Sequence, residues 1–368
     1  MQLAHGIPTL GRRESWPISF AAMTVSPDAP FLTAARGQRT THTPVWFMRQ
    51  AGRSLPEYKA VRGEGSILHA IKNPALSAEI TLQPVHRYGV DAAVLYSDIV
   101  VPAHAIGFGI DVAPGTGPVA AEPFRSATDL RRVRVFEPST DTPYVIETVR
   151  ILAAELDVPL LAFAGAPFTV ASYLIEGRPS RTYEHTKALM HTDEATWHEL
   201  MSRLADHAIA SIASQLDAGA SAFQLFDSWA GALSRRDYER FAQPHSARVF
   251  AELKASHPDA IGIHYGVGCD HILEPMYTAG AGVIGLDWRT RITDARARLG
   301  ADTVVQGNLD PSLVLGGWSV AEQGCADVLA DNGGHPAHIF NLGHGVHPTT
   351  DPGVLEQVVT YVHEHTSA

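Results

Sequence analysis

Two arginines four residues apart are the first side chains in the sequence whose spacing suggests chemistry. Arg49 and Arg53 flank Gly52 in the stretch PVWFMRQAGRSLPEY, which is otherwise mostly apolar or small between Pro44 and Pro56. Paired guanidiniums can bind a carboxylate or phosphate through parallel hydrogen bonds, and the glycine lets backbone N–H groups approach the same anion. The spacing fits equally an exposed helical face without a ligand.

Other polar side chains directly follow short apolar runs, where buried strands are expected to end. They are Ser97, Asp98, Thr169, Ser172, Tyr173, Asp227, Ser228, Asp287, Asn308, Asp310, His344 and His347. The set contains no phosphate-binding loop and no nucleophile elbow. His344 stands between two glycines, which favours a ligand contact. Asp98 also suits a helix N-cap, Tyr173 a half-buried aromatic position and Ser228 a turn.

Eight short apolar runs are typical of buried parallel strands. They cover residues 45–48, 92–96, 160–164, 222–226, 261–264, 283–287, 303–306 and 338–342. Helical periodicity is clearest between them at 144–156, 194–217, 236–256, 319–330 and 353–365. A weaker helix at 75–88 contains Pro84, which favours a kink or break. This alternation predicts an α/β fold, a single (β/α)8 TIM barrel, with an open doubly wound sheet as the alternative.

In such a barrel the polar residues at the strand ends face one another. The Gly- and Pro-rich segment 97–143 predicts an elaborated loop at that end, with room for a hairpin. We expect residues 1–30 to form a poorly ordered N-terminal extension and residues 31–368 to form the catalytic barrel domain.

Charge and composition exclude several classes of protein. The 368 residues include 28 basic and 39 acidic side chains, a net charge of −11, which argues against a nucleic-acid surface or a basic membrane-binding face. Cys269 and Cys325 form neither a disulfide framework nor a zinc-ligand spacing. No apolar run approaches the roughly 20 residues of a membrane span, and the first 34 residues lack a clear signal-peptide pattern. We therefore expect a cytoplasmic protein.

Six motifs, in chain order, resemble those of the uroporphyrinogen decarboxylase family: FMRQAGRSLPEY, LYSDIVVPAHAIG, FAGAPFTVASYLIEG, QLFDSWAG, QGNLDP and FNLGHGVHP. The resemblance extends from about Pro44 to Thr360, and RQAGR with the downstream GHG is its most specific part. It implies a homodimeric barrel that works without a cofactor or metal. It also implies removal of carbon dioxide from the four acetate side chains of uroporphyrinogen III, giving coproporphyrinogen III in haem biosynthesis.

The resemblance also implies the site residues. By motif, the substrate-binding residues are Arg49, Gln50, Ala51, Gly52, Arg53, Asp98, Tyr173, Ser228 and His344. Among them, the implied catalytic residues are Asp98, Arg49, Tyr173 and His344. The arginines would make a positive cleft for a substrate with eight carboxylates, and Asp98 would accept hydrogen bonds from the pyrrole N–H groups. A protonated pyrrole can itself serve as the electron sink that other decarboxylases take from a cofactor. Asp98 would stabilise this cation, and the proton donor is open among Arg49, Tyr173, His344 and a bound water.

Two other functions fit parts of the pattern. Related thiol-transfer methyltransferases bind zinc through an H-x-C motif and a second cysteine, whereas here His264 is followed by Tyr265 and Gly266. Neither cysteine of the chain has the required spacing, and no metal is expected. A non-catalytic tetrapyrrole-binding protein would bind uroporphyrinogen without releasing carbon dioxide, and the complete set of charged residues argues against it.

Overall fold

The computed structural model describes residues 25–52, 54–113 and 115–367. Most of the predicted extension (1–30) lies outside the described residues, so its order stays a prediction. The division of the chain at residue 31 also stays a prediction. The described chain leads through a turn into a short first helix at Pro30, and this helix buries Phe31 completely.

The described residues contain one curled parallel sheet and one antiparallel hairpin. The strands are β1 (Ala93–Val94), β2 (Ile110–Ala113), β3 (Gly117–Ala120), β4 (Leu160–Gly165), β5 (Ala222–Phe226), β6 (Ile261–Tyr265), β7 (Val283–Gly285), β8 (Val304–Gln306) and β9 (His338–Ile339). The parallel sheet has the order β1-β4-β5-β6-β7-β8-β9, and β2 pairs with β3 in the hairpin predicted within 97–143. Because each parallel strand pairs with the next one along the chain, all carboxyl ends lie at one end of the sheet.

The first predicted strand, 45–48, is not a regular strand. Its backbone nevertheless lies between the two edge strands: the Phe340 N–H donates to the Pro44 carbonyl (2.8 Å), and the Asp91 N–H donates to the Val45 carbonyl (2.8 Å). The Val45 N–H donates to the Asp91 carboxylate instead of a strand (2.7 Å), and a turn follows at Phe47. The regular ladder thus has seven strands, and the sheet is curled as in a TIM barrel without being closed by an eighth strand.

Helices cover the outer side of this sheet. They are α1 (Pro30–Ala35), α2 (Pro56–Arg62), α3 (Ile67–Ile71), α4 (Pro74–Tyr88), α5 (Val101–Ala105), α6 (Pro138–Asp141), α7 (Pro143–Glu155), α8 (Pro167–Glu176), α9 (Glu184–Thr192), α10 (Glu194–Asp217), α11 (Arg235–Asp237), α12 (Gln243–Ser256), α13 (Leu273–Thr278), α14 (Ile292–Leu299), α15 (Pro311–Leu315), α16 (Trp318–Asn332) and α17 (Pro352–Thr366). The helices predicted at 144–156, 194–217, 319–330 and 353–365 are confirmed as α7, α10, α16 and α17.

Two of the predicted helices contain a proline, and both differ from the prediction. Helix α4 continues through Pro84, which is buried, so packing of the apolar face outweighs the lost hydrogen bond. The helix predicted at 236–256 is interrupted by a π turn at Tyr238–Ala242 before α12 begins. Pro244 explains this interruption, because it has no N–H to donate to the preceding turn.

The apolar runs form the core between the sheet and the helices. All but one residue of β4 and of β5 is buried, as expected for parallel strands covered on both faces. In the described part of the chain, no helix combines the length and apolar character needed to cross a bilayer.

Candidate active site

Arg49 occupies the turn that follows the bridging segment 44–48. Its φ of 63° is in the left-handed region, which is uncommon for a residue other than glycine. Gln50 stabilises this turn: its side-chain oxygen accepts the Phe47 N–H (2.9 Å), and its amide donates to the Ala92 carbonyl (3.0 Å). The turn leaves the Arg49 side chain exposed at the carboxyl end of the sheet.

The Arg49 side chain lies directly across Gly345, in the loop that follows β9. A Cβ atom at this glycine would come within 2.5 Å of Arg49 Cδ and 2.8 Å of Cγ. The Val346 N–H also donates to the Met48 carbonyl (2.9 Å). At Gly343, a Cβ atom would collide with the Trp288 backbone nitrogen. The two glycines of the GHG motif are therefore explained by close approach of neighbouring chain segments.

His344, between these glycines, is half-buried and neutral at pH 7. Burial, together with the Arg49 and His347 side chains, lowers the pKa of His344 to about 4. Its Nδ1 accepts the Gly345 N–H (2.6 Å). The neutral ring therefore carries its proton on Nε2, where it can donate to a ligand.

Asp98 follows β1 and is half-buried. Its Oδ1 accepts the Val100 N–H (3.0 Å), which matches the capping role considered for this residue. Burial raises the pKa of Asp98, and the Arg49 guanidinium and the Val100 N–H oppose this rise. Asp98 and Arg49 are thus close enough to interact electrostatically, although they follow different strand positions.

Tyr173, on α8, is held by aromatic stacking. Its ring centroid lies 3.8 Å from that of Trp229, which follows β5. The backbone N–H of Trp229 donates to the Thr169 hydroxyl oxygen (3.2 Å), and this hydroxyl donates to Asp227 Oδ1 (3.0 Å). Burial and the Asp98 carboxylate raise the pKa of Tyr173, so its hydroxyl keeps its proton. Half-buried Ser228 lies between Asp227 and Trp229 in the chain.

The other predicted site residues of this turn differ in how deeply they are buried. Gln50 is completely buried, with both polar side-chain atoms bonded to the backbone, so its contribution is to hold the turn. Ala51 is half-buried and Gly52 is buried. A Cβ atom at Gly52 would meet only the Arg49 carbonyl at 3.7 Å, so the bulk of a side chain is not excluded there. Arg53 lies outside the described residues.

Arg289 is a cation of this site that the sequence analysis missed. It follows Asp287, which was noted at the end of a predicted strand. Its guanidinium donates to Asp287 Oδ2 (2.6 Å) and stacks over the Trp288 ring (3.9 Å to the centroid). Half of the side chain is exposed, and its charge helps to lower the pKa of His344. The feature of the sequence that could have indicated Arg289 is its position two residues after an aspartate at a predicted strand end.

The buried groups beneath the site do not resemble a zinc–thiolate centre. Burial and the Asp227 and Asp287 carboxylates raise the pKa of Cys269 well above its usual range, so its thiol stays protonated. His264 is completely buried, and its Nδ1–H donates to the Met276 carbonyl (3.1 Å). This matches the prediction of a core histidine, although its Nε2 faces Asp227 Oδ2 at 3.6 Å without a hydrogen bond.

A curled parallel sheet with charged and hydroxyl-bearing side chains at its carboxyl end places the protein among the TIM-barrel enzymes. The chain belongs to the uroporphyrinogen decarboxylase family, because the model of that family, uroporphyrinogen decarboxylase (URO-D), matches residues 26–365.

Curated relatives agree with this assignment. Uroporphyrinogen decarboxylase of Salinispora tropica is 54 % identical over 341 residues, covering 92 % of this chain and 91 % of the relative. That of Saccharopolyspora erythraea is 54 % identical over 346 residues, covering 91 % and 95 %. That of Thermobifida fusca is 52 % identical over 341 residues, covering 92 % and 94 %.

Solved structures support the fold. A methyltransferase from Methanosarcina mazei superposes with a TM-score of 0.73 at 18 % identity, covering 93 % of this chain and 99 % of that one. A B12-independent methionine synthase from Shewanella gives a TM-score of 0.55 at 10 % identity, covering 83 % and 90 %. At such low identity these similarities concern the barrel alone.

Proposed function

We propose that the protein is a carboxy-lyase that removes carbon dioxide from the four acetate side chains of uroporphyrinogen III, giving coproporphyrinogen III. The observation that carries this proposal is the set of Arg49, Asp98, Tyr173 and His344 at the strand ends of a uroporphyrinogen decarboxylase family chain. These residues combine a cation, a carboxylate and two protonated donors, which suits a substrate with eight carboxylates around four pyrrole N–H groups.

Arg49 binds substrate carboxylates in this proposal. Its guanidinium is exposed at the strand ends, and its stem is held across Gly345. A guanidinium that is fixed in this way loses little freedom when it binds a planar carboxylate through two hydrogen bonds. Arg289 adds a second positive charge near His344. Both guanidiniums lie at the strand ends of a protein whose net charge is −11, where they can bind substrate carboxylates.

Asp98 accepts hydrogen bonds from the pyrrole N–H groups and stabilises the cationic ring. Protonation of the ring carbon beside the acetate-bearing carbon makes that ring cationic. The bond between the acetate CH2 and its carboxylate then breaks, carbon dioxide leaves, and the electron pair neutralises the ring as an exocyclic methylene. Proton addition to the methylene and proton loss from the ring carbon give a methylpyrrole. Each acetate thus consumes one proton overall, and no external electron acceptor is required.

Tyr173, His344 and Ser228 orient the substrate. The pKa values of Tyr173 and His344 are displaced so that the phenol and the neutral imidazole both hold a proton at neutral pH. They therefore donate hydrogen bonds to carboxylates and, with Arg49, are the candidate groups for delivering protons. Ser228, the half-buried residue before Trp229 in the chain, adds a hydroxyl.

We also propose that the enzyme is a cytoplasmic homodimer that needs neither a cofactor nor a catalytic metal. Sedimentation of the purified chain tests the dimer, and a monomer at micromolar concentration would contradict it. Removal of metals with a strong chelator tests whether a catalytic metal is needed. We expect decarboxylase activity at ambient temperature to persist.

The reaction itself is tested by anaerobic incubation with uroporphyrinogen III under reducing conditions. Chromatography should show products with seven, six, five and finally four carboxyl groups. Binding of uroporphyrinogen without carbon dioxide release would instead indicate a tetrapyrrole-binding protein. Activity that is lost on chelation and restored by zinc would favour the thiol-transfer methyltransferases.

A further inference from the structure

A second cluster of chemistry-bearing side chains lies at the opposite end of the sheet from Arg49. His42 precedes the bridging segment 44–48, Asp91 precedes β1, and His363 lies on α17. His42 Nε2 is 2.7 Å from Asp91 Oδ1, and His363 Nε2 is 2.8 Å from Asp91 Oδ2. One ligand atom from each residue can be chosen so that all three lie within 4.8 Å of one another.

Two imidazoles and one carboxylate are a donor set that zinc and similar divalent ions prefer. We propose that His42, Asp91 and His363 form a binding site for Zn²⁺ that stabilises the fold. The proposal is independent of the proposed function, because Asp91 precedes β1 whereas Asp98 follows it. No motif in the sequence indicates this site, because its three residues are far apart in the chain.

Hydrogen bonds around the cluster already orient two of the three residues. The His42 Nδ1 lies 3.1 Å from the Thr41 hydroxyl, and Asp91 Oδ2 accepts the Val45 N–H at 2.7 Å. Such outer contacts fix the orientation of metal ligands in proteins. With its Nδ1–H donating to Thr41, the His42 ring would present the lone pair of Nε2 to the metal.

The cluster is also accessible to an ion and to a water ligand. The side chains of His42, Asp91 and His363 are 20 %, 9 % and 27 % exposed. The two imidazole centroids are 4.1 Å apart, with the rings inclined by 52°. Tetrahedral zinc, with bonds of about 2.0–2.1 Å, separates its ligand atoms by about 3.3 Å. Binding therefore requires the protons between the imidazoles and Asp91 to leave and the side chains to separate by roughly 0.5 Å.

A metal here would join three segments that meet where the two edge strands of the curled sheet, β1 and β9, approach each other. His42 and Asp91 border the bridging segment and the first strand, and His363 belongs to the last helix. Because zinc would bind this folded arrangement more tightly than the unfolded chain, it would raise the thermal stability. It would leave the strand-end site unchanged.

The test uses the purified full chain, stripped with a chelator and then dialysed against zinc. We expect one equivalent of tightly bound zinc, a higher unfolding temperature, and unchanged decarboxylase activity at ambient temperature. Cobalt substitution should give a visible absorption band of tetrahedral or five-coordinate character. Loss of outer-shell partners lowers metal affinity by about 10–100-fold, so loss of a ligand should lower it at least as much.

His42→Gln and His363→Gln are the informative variants, because glutamine still donates a hydrogen bond to Asp91 but is a poor zinc ligand. His365→Gln, on the same helix and exposed, is the matched control and should bind zinc like the wild type. Circular dichroism in chelator verifies that each variant is folded. Wild-type zinc affinity in folded His363→Gln, or no stoichiometric zinc in the wild type, would overturn the proposal and leave a hydrogen-bonded cluster only.

Discussion

The charge of Arg49 acts on side chains of several different elements and loops. It opposes the rise in the pKa values of Asp98, Tyr173 and Tyr265, and it contributes to the lowered pKa of His344. These effects show that the four side chains lie near Arg49 although they are far apart in the sequence. The Arg49 cation therefore opposes the neutralisation of Asp98 by burial and favours the neutral form of His344.

Replacing Asp98 with asparagine tests the role of its negative charge. The amide oxygen of Asp98→Asn can still accept the Val100 N–H, so we expect a normal fold. A neutral amide cannot stabilise a pyrrole cation, and kcat should fall by about 10²–10³, or about 2.7–4 kcal/mol. Asp351→Asn is the control, because Asp351 caps α17 through the same contact two residues on (2.9 Å). Equal turnover in both variants would exclude a catalytic charge at Asp98.

Arg289 offers a second prediction at the level of one residue. Arg289→Ala removes a cation near His344 and leaves the Asp287 carboxylate without its ion-pair partner. We expect the KM for uroporphyrinogen to rise about 10-fold. This corresponds to the lower end of the free energies for hydrogen bonds to charged groups, because the Arg289 side chain is half exposed. The change in kcat should be smaller. Arg291→Ala, which breaks an exposed pair with Asp331, should leave KM unchanged, and steady-state kinetics compares the two variants.

At the level of elements, periodicity predicted the six longest helices, and apolar runs correctly predicted seven of the eight strand positions. The strand predicted at 45–48 is not regular because side chains compete with the backbone there. The Asp91 carboxylate accepts the Val45 N–H, and the Gln50 side chain stabilises a turn at Phe47. Motifs predicted the strand-end residues of the candidate site. They could not show that Arg49 lies across Gly345, or that Trp229 supports Tyr173, because such contacts depend on which loops meet in space.

The contact between Arg49 and Gly345 gives a prediction for the loop after β9. A methyl group in Gly345→Ala would displace the Arg49 stem, since its Cβ would lie 2.5 Å from Cδ. The backbone at Gly345 does not have a positive φ, so stability should change little. Misplacement of a binding group by about 1 Å can cost about 10²-fold, and we expect kcat/KM to fall by up to that factor.

Gly282→Ala is the matched control for that loop. Its Cβ would make only an ordinary contact at 3.8 Å with the Gly262 carbonyl, and Gly282 lies before β7, away from the strand ends. If Gly345→Ala retains wild-type kcat/KM, the position of the Arg49 stem does not matter for catalysis. Thermal unfolding of both variants distinguishes a local effect from a loss of stability.

At the level of the whole molecule, several histidines are held neutral by burial. Burial lowers the pKa of His245, His338 and His344 to about 4. His338, on β9, is only 1 % exposed, and its Nε2–H donates to the Gly307 carbonyl (2.7 Å). The unfolded chain would protonate these residues near pH 6.5. Acid should therefore weaken the fold before most carboxylates are neutralised.

The sign of this effect follows from proton binding. Between pH 6.5 and about 4 the unfolded chain binds a proton at His338 that the folded chain does not, so the free energy of unfolding falls as the pH is lowered. From pH 7 to 5 this residue alone should account for about 2 kcal/mol. Urea unfolding at a series of pH values measures the slope. His338→Gln can keep the hydrogen bond to Gly307 without titrating, so its slope should be shallower than that of the wild type or of the exposed control His185→Gln. Identical slopes in all three proteins would show that His338 is not held neutral by the fold.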